Sequence, residues 1–106
     1  MTTYCFDIDG TLCSQVSEDY LLAKPHISRI KKVNELRAFG HTVKLFTARG
    51  SKSGLDWRDK TISQLLEWGL GYDELILGKP HSDFYIDDKA IHSEAFDWAL
   101  ESSQGS

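Results

Sequence analysis

The chain has few cysteines and no surplus of basic residues, and each scarcity narrows the functions open to it. Only two of the 106 residues are cysteines, Cys5 and Cys13. No zinc-ligand spacing or disulfide framework surrounds them, so both are predicted to be reduced and structural. Neighbouring carboxylates are expected to raise the pKa of the Cys13 thiol, which disfavours it as a nucleophile. Acidic residues outnumber basic ones, 16 to 12, which argues against a nucleic-acid-binding face.

Long hydrophobic runs are also missing. No apolar stretch approaches the length needed to cross a bilayer, and the N-terminus leads into a predicted strand without the regions of a signal peptide. We therefore expect a cytoplasmic protein without membrane contact. The length predicts one domain with one core. Residues 1–100 are expected to form that domain and residues 101–106 a flexible tail.

Strand-like and helix-like segments alternate along the chain, which predicts an α/β domain with a mainly parallel sheet flanked by helices. Strands are predicted at residues 3–8, 42–46, 74–77 and 84–87, and helices at 25–39, 57–68 and 91–100. The first strand is apolar on both faces, so we expect it at the centre of the sheet. Residues 12–24 lack a clear period and are predicted to form a loop or short hairpin over the site.

Two of the helices show an apolar face. In the first, the apolar stripe is predicted to contain Ile27, Ile30, Val33, Leu36 and Phe39, while the residues predicted to face water are Arg29, Lys31, Lys32 and Arg37. In the second, Ile62, Leu65 and Leu66 are predicted to face inward. Gly40 and Gly69 are predicted to end the two helices.

The most informative motif is an acidic pair at the end of the first strand. Asp7 and Asp9 follow an apolar run and precede Gly10. Strand alternation would place both carboxylates on one side, where they repel each other unless a cation or a shared proton intervenes. Mg²⁺ is the usual partner of such a pair. The alternative is structural, because Asp and Gly are also ordinary turn residues.

Polar residues follow each of the other predicted strands as well. Thr47, Ala48 and Arg49 follow the second strand, Lys79 follows the third, and Asp87 and Asp88 close the fourth. Ligands of parallel sheets bind at the carboxyl ends of the strands, so these residues are expected at one edge. Structural alternatives are a strand cap for the threonine, a solvated turn for the lysine and a helix cap for the late acidic pair.

In order and spacing, these motifs resemble those of the haloacid dehalogenase (HAD) superfamily: Asp-x-Asp-Gly-Thr, a Thr or Ser, a Lys, and a late acidic pair. The resemblance covers about residues 3–98. It implies a single Rossmann-like domain, and the loops are too short for a cap domain. Among its members the chain looks most like small capless phosphatases of capsular-polysaccharide biosynthesis. One departure is that only residues 78–82 join the third and fourth strands, so the strands are antiparallel or Lys79 is carried by a loop.

By this resemblance the chain is a Mg²⁺-dependent phosphatase acting through an aspartyl-phosphate. Asp7 would be the nucleophile, and Asp9 would be the general acid and then the general base. Mg²⁺ would be held by the Asp7 carboxylate, the Asp9 carbonyl and the Asp87 carboxylate, with Asp88 orienting these ligands or binding through water.

The remaining motif residues would bind substrate. Thr47 and Lys79 would hold the phosphoryl oxygens, assisted by backbone N–H groups near Gly10 and Ala48. Arg49 is a candidate substrate contact because it lies beside the second strand end, although exposed arginines are often only surface residues.

Several alternatives remain open at this stage. A response-regulator receiver domain has similar residues, but there the acidic pair comes first, whereas here Asp-x-Asp does. A phosphomutase and a non-catalytic phosphoryl-binding module are further alternatives. The expected substrate is a small sugar or polyol phosphate. The absence of a cap implies that the site is open to a bulky substrate or is covered by residues 12–24 or by another subunit of a homo-oligomer.

Overall fold

The computed structural model describes residues 1–15, 19–50, 56–80 and 82–99. In chain order its elements are strand β1 (Thr3–Asp7), a 3₁₀ turn (Tyr20–Leu22), helix α1 (Ile27–Ala38), strand β2 (Thr42–Thr47), helix α2 (Arg58–Glu67) and strand β3 (Glu74–Leu77). Strands and helices alternate, as predicted, so the chain forms a small α/β domain.

The three strands form one parallel sheet in the order β1-β2-β3. At one end of the sheet Asp7 lies opposite Phe46 and Thr47 lies opposite Leu77. The carboxyl ends of all three strands therefore share one edge, as the motifs require. The central strand is β2, so the prediction of a central first strand is wrong for this sheet.

The predicted fourth strand is the main difference between expectation and structure. Residues 84–87 have no strand pairing, and the side chains of Phe84 and Ile86 are 84% and 98% exposed. A parallel crossover needs about a dozen residues, whereas residues 78–83 are all that separate β3 from this segment. In the described part of the chain, the short connection leaves the segment outside the sheet and β1 with β2 as its single neighbour.

Helix α1 packs on the sheet largely as its sequence predicts. Ile30, Val33 and Leu36 are buried, which matches the apolar period. The stripe stops short at both ends, since Ile27 and Phe39 are mostly exposed. The helix begins after His26 rather than at the preceding proline. It ends as predicted, because Gly40 adopts a φ of +95° that favours glycine.

Two basic residues of α1 do not face water as predicted. The Arg29 side chain is 18% exposed and donates to the Thr11 carbonyl at 3.0 Å. Lys32 is 8% exposed, and its ammonium lies 3.8 Å from the carboxylate of Glu35. A lysine stem of four methylene groups can pack against apolar side chains while its charged end reaches an acidic partner. This combination explains how a charged residue is accommodated on the inner side of the helix.

Helix α2 has the predicted position but a different buried face. Leu65 is fully buried, as predicted. Ile62 is 37% and Leu66 is 80% exposed, so the prediction that these two face inward is wrong. Thr61 and Gln64 are buried instead. Both accept hydrogen bonds from Arg49, so a buried cation determines which polar residues of the helix face inward.

An aromatic cluster ties the C-terminal part of the chain to β1. The rings of Phe96 and Trp98 lie 5.8 Å from the ring of Phe6. The described part of the predicted last helix, residues 91–99, forms turns rather than a helix. The indole N–H of Trp98 donates to the carbonyl of Ser93 at 2.8 Å, and this bond fixes the turn. The predicted tail, residues 101–106, lies outside the described residues.

The segment predicted to lie over the site is described except at residues 16–18. It contains an antiparallel bridge between Cys13 and Pro25 and the 3₁₀ turn, whose first residue, Tyr20, packs beside the site. Neither of the two described α-helices is long and apolar enough to span a bilayer.

Candidate functional site

The site lies where the three parallel strands end. Asp7 is the last residue of β1 and Thr47 is the last residue of β2. Lys79 comes two residues after β3, and its backbone N–H donates to the Thr47 carbonyl at 3.1 Å. This bond holds the lysine loop against the end of the central strand. The structure thus brings together the first three motifs, and Lys79 is carried by a loop.

Asp7 is the most accessible carboxylate of the site. Its side chain is 34% exposed, and one of its oxygens lies 3.5 Å from the Lys79 ammonium. Burial raises the pKa of Asp7, the positive charge of Lys79 opposes that shift, and the negative charge of Asp9 adds to it. The result is a partly desolvated carboxylate beside a cation, with one side open to an approaching group.

The Lys79 ammonium is held from a second direction by an aromatic ring. It lies 4.3 Å from the centre of the Tyr85 ring, and the Tyr85 hydroxyl donates to the Pro80 carbonyl. A cation over a ring face is attracted by the ring quadrupole. The two contacts keep the positive charge over the end of β1, where it faces Asp7.

Asp9 sits in a tight turn that follows β1. The N–H groups of Thr11 and Leu12 donate to the Ile8 carbonyl, and Gly10 has a φ of +82°. A side chain at Gly10 would meet the Gln15 side chain at 2.7 Å in addition to this backbone strain. The N–H of Gly10, proposed from the sequence to help bind phosphate, donates to the Cys13 carbonyl at 2.9 Å in this arrangement.

Arg49 turns inward and binds Asp9. Its Nε–H donates to Oδ2 and its Nη2–H to Oδ1, both at 2.9 Å. The arginine is 2% exposed, so this is a buried, two-pronged ion pair. The sequence-based expectation was a substrate contact, but here the guanidinium engages the second carboxylate of the acidic pair.

Three further residues surround the Arg49 guanidinium, and the sequence analysis did not identify them as part of the site. Nη1 donates to the Thr61 hydroxyl at 3.2 Å and to the side-chain oxygen of Gln64 at 2.7 Å. Tyr20 covers the guanidinium, with its ring centre 4.9 Å from Cζ. The spacing of Thr61 and Gln64, three residues apart on one helix, would have indicated a shared polar face.

Thr47 and Ala48 complete the end of β2. The Thr47 side chain is fully buried, and its hydroxyl oxygen accepts from the Arg49 N–H at 3.1 Å. This bond caps the end of the strand, which is the structural alternative given above, and the hydroxyl hydrogen is a donor for another acceptor. Ala48 is half-buried between the threonine and the arginine.

The late acidic pair is not brought to the acidic pair of β1. Asp87 and Asp88 are exposed on the segment outside the sheet. The Asp87 carboxylate accepts from the Lys89 N–H at 2.9 Å, and this bond, followed by one from Asp88, lowers the pKa of Asp87. Across the described ranges, no three His, Cys, Asp or Glu side chains come close enough to hold a metal ion. As placed here, these residues do not form the predicted Mg²⁺ site.

Both thiols are free. Cys13 is buried, in line with the predicted structural role, whereas Cys5 is exposed and does not match that prediction. Burial first and the negative charge of Asp9 second raise the pKa of the Cys13 thiol to about 12. A thiol with so high a pKa is protonated at neutral pH and is a poor nucleophile.

Solved structures that resemble this chain include the following two. An MCSG target protein from Vibrio cholerae is 28% identical, with a TM-score of 0.79 over 95% of this chain and 90% of that chain. A chain in the structure of the Pnkp1/Rnl/Hen1 complex is 21% identical, with a TM-score of 0.57 over 88% of this chain but 32% of that chain. No protein-family model matches the chain, and neither does any curated protein. The likenesses support the α/β fold described above.

Proposed function

We propose that the protein is a phosphomonoesterase of the HAD type that works through an aspartyl-phosphate on Asp7. The observation that carries the proposal is the pairing of Asp7 with Lys79 at the strand ends. A second and more buried carboxylate, Asp9, follows two residues later. A half-exposed carboxylate beside a cation can accept a phosphate dianion because the cation offsets the negative charge that approaches. The order of the four sequence motifs supports the same assignment.

In the proposed first step, a carboxylate oxygen of Asp7 attacks the phosphorus and the ester P–O bond breaks. The leaving oxygen takes a proton from Asp9 and departs as an alcohol. In the second step, water attacks the phosphorus, the P–O bond to Asp7 breaks, and Asp9 takes the proton of the water. Oδ2 of Asp9 has a second lone pair beyond its bond to Arg49, whereas Oδ1 also accepts from the Cys13 thiol at 3.5 Å, so Oδ2 is the oxygen proposed to hold this proton.

Lys79 and Thr47 are proposed to bind the transferring group. The Lys79 ammonium already lies within 3.5 Å of Asp7, so it can also contact an oxygen of a phosphoryl group bound there. The Thr47 hydroxyl hydrogen supplies a second donor at the end of β2. Ala48 remains proposed as a backbone donor once substrate is present, and Gly10 would join it only by exchanging its bond to the Cys13 carbonyl for one to the phosphoryl group.

Mg²⁺ stays in the proposal because the Asp7 carboxylate and the Asp9 carbonyl are oxygen donors of the kind that a hard cation prefers. When bound, the ion would neutralise charge on the phosphoryl oxygens. Asp87 and Asp88 are the proposed additional ligands. Since the described residues do not assemble these ligands around Asp7, no step above is assigned to the metal.

The proposed substrate class is a small sugar or polyol phosphate of polysaccharide biosynthesis, encountered in the cytoplasm. The absence of a cap domain in the motif spacing suggests either a bulky substrate or coverage by another subunit. A phosphomutase is the alternative enzyme, and a phosphoryl-binding or receiver-like module is the alternative without turnover.

The test is phosphate release from sugar, polyol and nucleotide monophosphates and from an aryl phosphate, with Mg²⁺ or with EDTA. Asp7→Asn runs beside the wild type, and Asp59→Asn, an exposed aspartate of α2, serves as the matched control. We expect release that requires Mg²⁺, is lost in Asp7→Asn by at least about 10³-fold, and is unchanged in Asp59→Asn. Intact mass after acid quench should show a phosphoryl adduct on the wild type and on Asp59→Asn, and none on Asp7→Asn.

Other results would redirect the assignment. A mutase would be favoured if ³¹P NMR showed phosphate moving between two positions of a sugar with no inorganic phosphate released. An adduct that forms from a small phosphodonor and persists without turnover would favour the receiver-like module. Equal release by Asp7→Asn and wild type would contradict the nucleophile assignment.

A further inference from the structure

Gln64 connects two parts of the molecule, namely the Arg49 guanidinium and the Tyr20 segment that packs against it. Its side-chain oxygen accepts from Arg49 Nη1 at 2.7 Å, and its side-chain nitrogen donates to the Tyr20 carbonyl at 2.8 Å. The residue is 6% exposed. A buried amide with both ends satisfied has one preferred orientation, because a flipped amide would place like groups against each other.

Arg49 transmits this fixed orientation to Asp9. The guanidinium is planar and rigid, so fixing Nη1 with Gln64 and Thr61 also fixes the direction of Nε–H and Nη2–H. Those two groups hold both oxygens of Asp9 at 2.9 Å. The guanidinium donors thus face acceptors on both sides, and the carboxylate is held in one rotamer.

Tyr20 closes the same assembly from the outside. Its ring covers the guanidinium at 4.9 Å and meets the Trp57 ring edge-on at 5.0 Å. The segment over the site is thereby joined to the beginning of α2. Since Gln64 binds the Tyr20 backbone, one side chain determines both the direction of Arg49 and the position of this segment.

We propose that Gln64 is a positioning residue that acts through Arg49 to hold the Asp9 carboxylate and acts directly to hold the Tyr20 segment over the Arg49 guanidinium. The inference rests on the proposed phosphatase function for its kinetic consequence, but its geometric part is independent of turnover. Gln64 touches neither Asp7 nor Lys79 in the contacts described, so its loss affects proton transfer by Asp9 more than substrate binding.

Two substitutions separate the two contacts. Gln64→Met keeps the approximate volume and removes both polar ends. Gln64→Glu keeps an oxygen that accepts from Arg49 but removes the N–H that donates to Tyr20. Ser63→Glu adds the same charge at a neighbouring exposed position of α2 and is the control for charge alone.

With an aryl phosphate, Gln64→Met is expected to lower kcat by at least about tenfold and to change KM by less than about threefold. Gln64→Glu and Ser63→Glu should keep kcat within about threefold of the wild type. If kcat falls equally in the Met and Glu variants, or in neither, Gln64 does not position Asp9 through Arg49.

NMR provides the readout that does not need activity. The Arg49 Nε–H signal, assigned with Arg49→Lys, should be protected from exchange in the wild type and in Gln64→Glu and lost in Gln64→Met. The Trp57 indole signal should shift in both Gln64 variants and not in Ser63→Glu, because the Tyr20 ring moves. An unchanged Arg49 signal in Gln64→Met or an unmoved Trp57 signal in Gln64→Glu would overturn the proposal.

The kinetic and NMR measurements also separate this inference from the proposed function. If the wild type releases no phosphate from any substrate, the phosphatase assignment fails, and the NMR signals still decide whether Gln64 positions Arg49 and Tyr20. If Gln64→Met does not fold, Gln64→Glu carries the test through the persistence of the Arg49 signal and the shift of the Trp57 signal.

Discussion

The two aspartates of the acidic pair differ in what surrounds them, although they lie two residues apart. Asp7 is partly open to solvent with a lysine at 3.5 Å, whereas the Asp9 side chain is 11% exposed and paired to a buried arginine. Different surroundings allow two carboxylates to take different roles in one reaction. The proposed function accordingly uses the accessible aspartate as the nucleophile and the clamped one for proton transfer.

The raised pKa of Asp7 predicts a pH-dependent cost to stability. Below the ordinary value, 3.8, Asp7 is protonated in both the folded and the unfolded chain. As pH rises through the higher folded pKa, the folded chain must hold a desolvated charge and loses stability. Asp7→Asn should therefore have a higher urea midpoint than wild type at pH 7, in EDTA, with a gap that closes towards pH 4.

The control for this measurement is Asp83→Asn, which changes an exposed carboxylate. Its difference from wild type should stay small across the same pH range. A gap for Asp7→Asn that is independent of pH, or that has the opposite sign, would show that the attraction of Lys79 outweighs the burial of Asp7.

Loss of the buried arginine should be far more damaging than loss of an exposed one. Arg49→Ala leaves Asp9 as an uncompensated buried charge, which is expected to lower the free energy of unfolding by about 3–5 kcal/mol. Arg37→Ala removes a half-exposed partner of Asp73 and should cost less than about 1 kcal/mol. Urea denaturation at neutral pH compares the two.

A double variant tests whether the unpaired Asp9 carboxylate causes the loss of stability in Arg49→Ala. Combining Arg49→Met with Asp9→Leu removes both charges, so it should recover part of the stability lost in Arg49→Ala. If the double variant is less stable than Arg49→Ala, packing around the guanidinium rather than the unpaired carboxylate explains the loss.

At the scale of elements, helix α2 shows how a buried charge determines the packing face. The apolar pattern predicted Ile62, Leu65 and Leu66 facing inward, but the structure buries Thr61, Gln64 and Leu65. A buried guanidinium must have acceptors for its donors, and this helix supplies two. The hydrophobic pattern alone does not contain that requirement.

Two adjacent leucines of α2 make this rotation testable. Leu65 is fully buried and Leu66 is 80% exposed. Leu65→Ala should lower the free energy of unfolding by about 2–5 kcal/mol, and Leu66→Ala should change it by less than about 0.5 kcal/mol. Chemical denaturation of both variants is the measurement, and similar losses would mean that the helix packs as the apolar pattern predicted.

Over the residues that the structure describes, the regular backbone ladders are those of the three-stranded sheet and the two α-helices. The central strand β2 pairs with neighbours on both sides, whereas residues 84–87 have no strand pairing. Amide exchange follows such differences, because local opening is easiest where few backbone bonds must break. The two regions should therefore differ most in protection.

Hydrogen–deuterium exchange followed by mass spectrometry measures this difference. Peptides from β2 should be the slowest to exchange and peptides from residues 84–87 among the fastest. The β1 strand, with one described neighbour, should be intermediate and is the internal reference. Protection of residues 84–87 equal to that of β1 would show that the fourth strand predicted from the sequence forms in solution.

Much of this fold could be predicted from sequence because it follows from local rules. The buried alternation of β2, the Ile30, Val33 and Leu36 stripe, and the glycines at the ends of both helices depend on residues close together in the chain. Parallel strands between helices then placed Asp7, Thr47 and Lys79 at one edge without knowledge of any contact.

Tertiary structure alone decided the interior of the site. Arg49 and Asp9 are 40 residues apart in the chain, and Gln64 and Tyr20 are 44 apart. No periodicity relates residues so distant, and their pairing depends on which buried donors find acceptors once the core has closed. The sequence by itself determined which residues stand at the strand ends, and the folded chain determined that one aspartate stays accessible while the other is clamped.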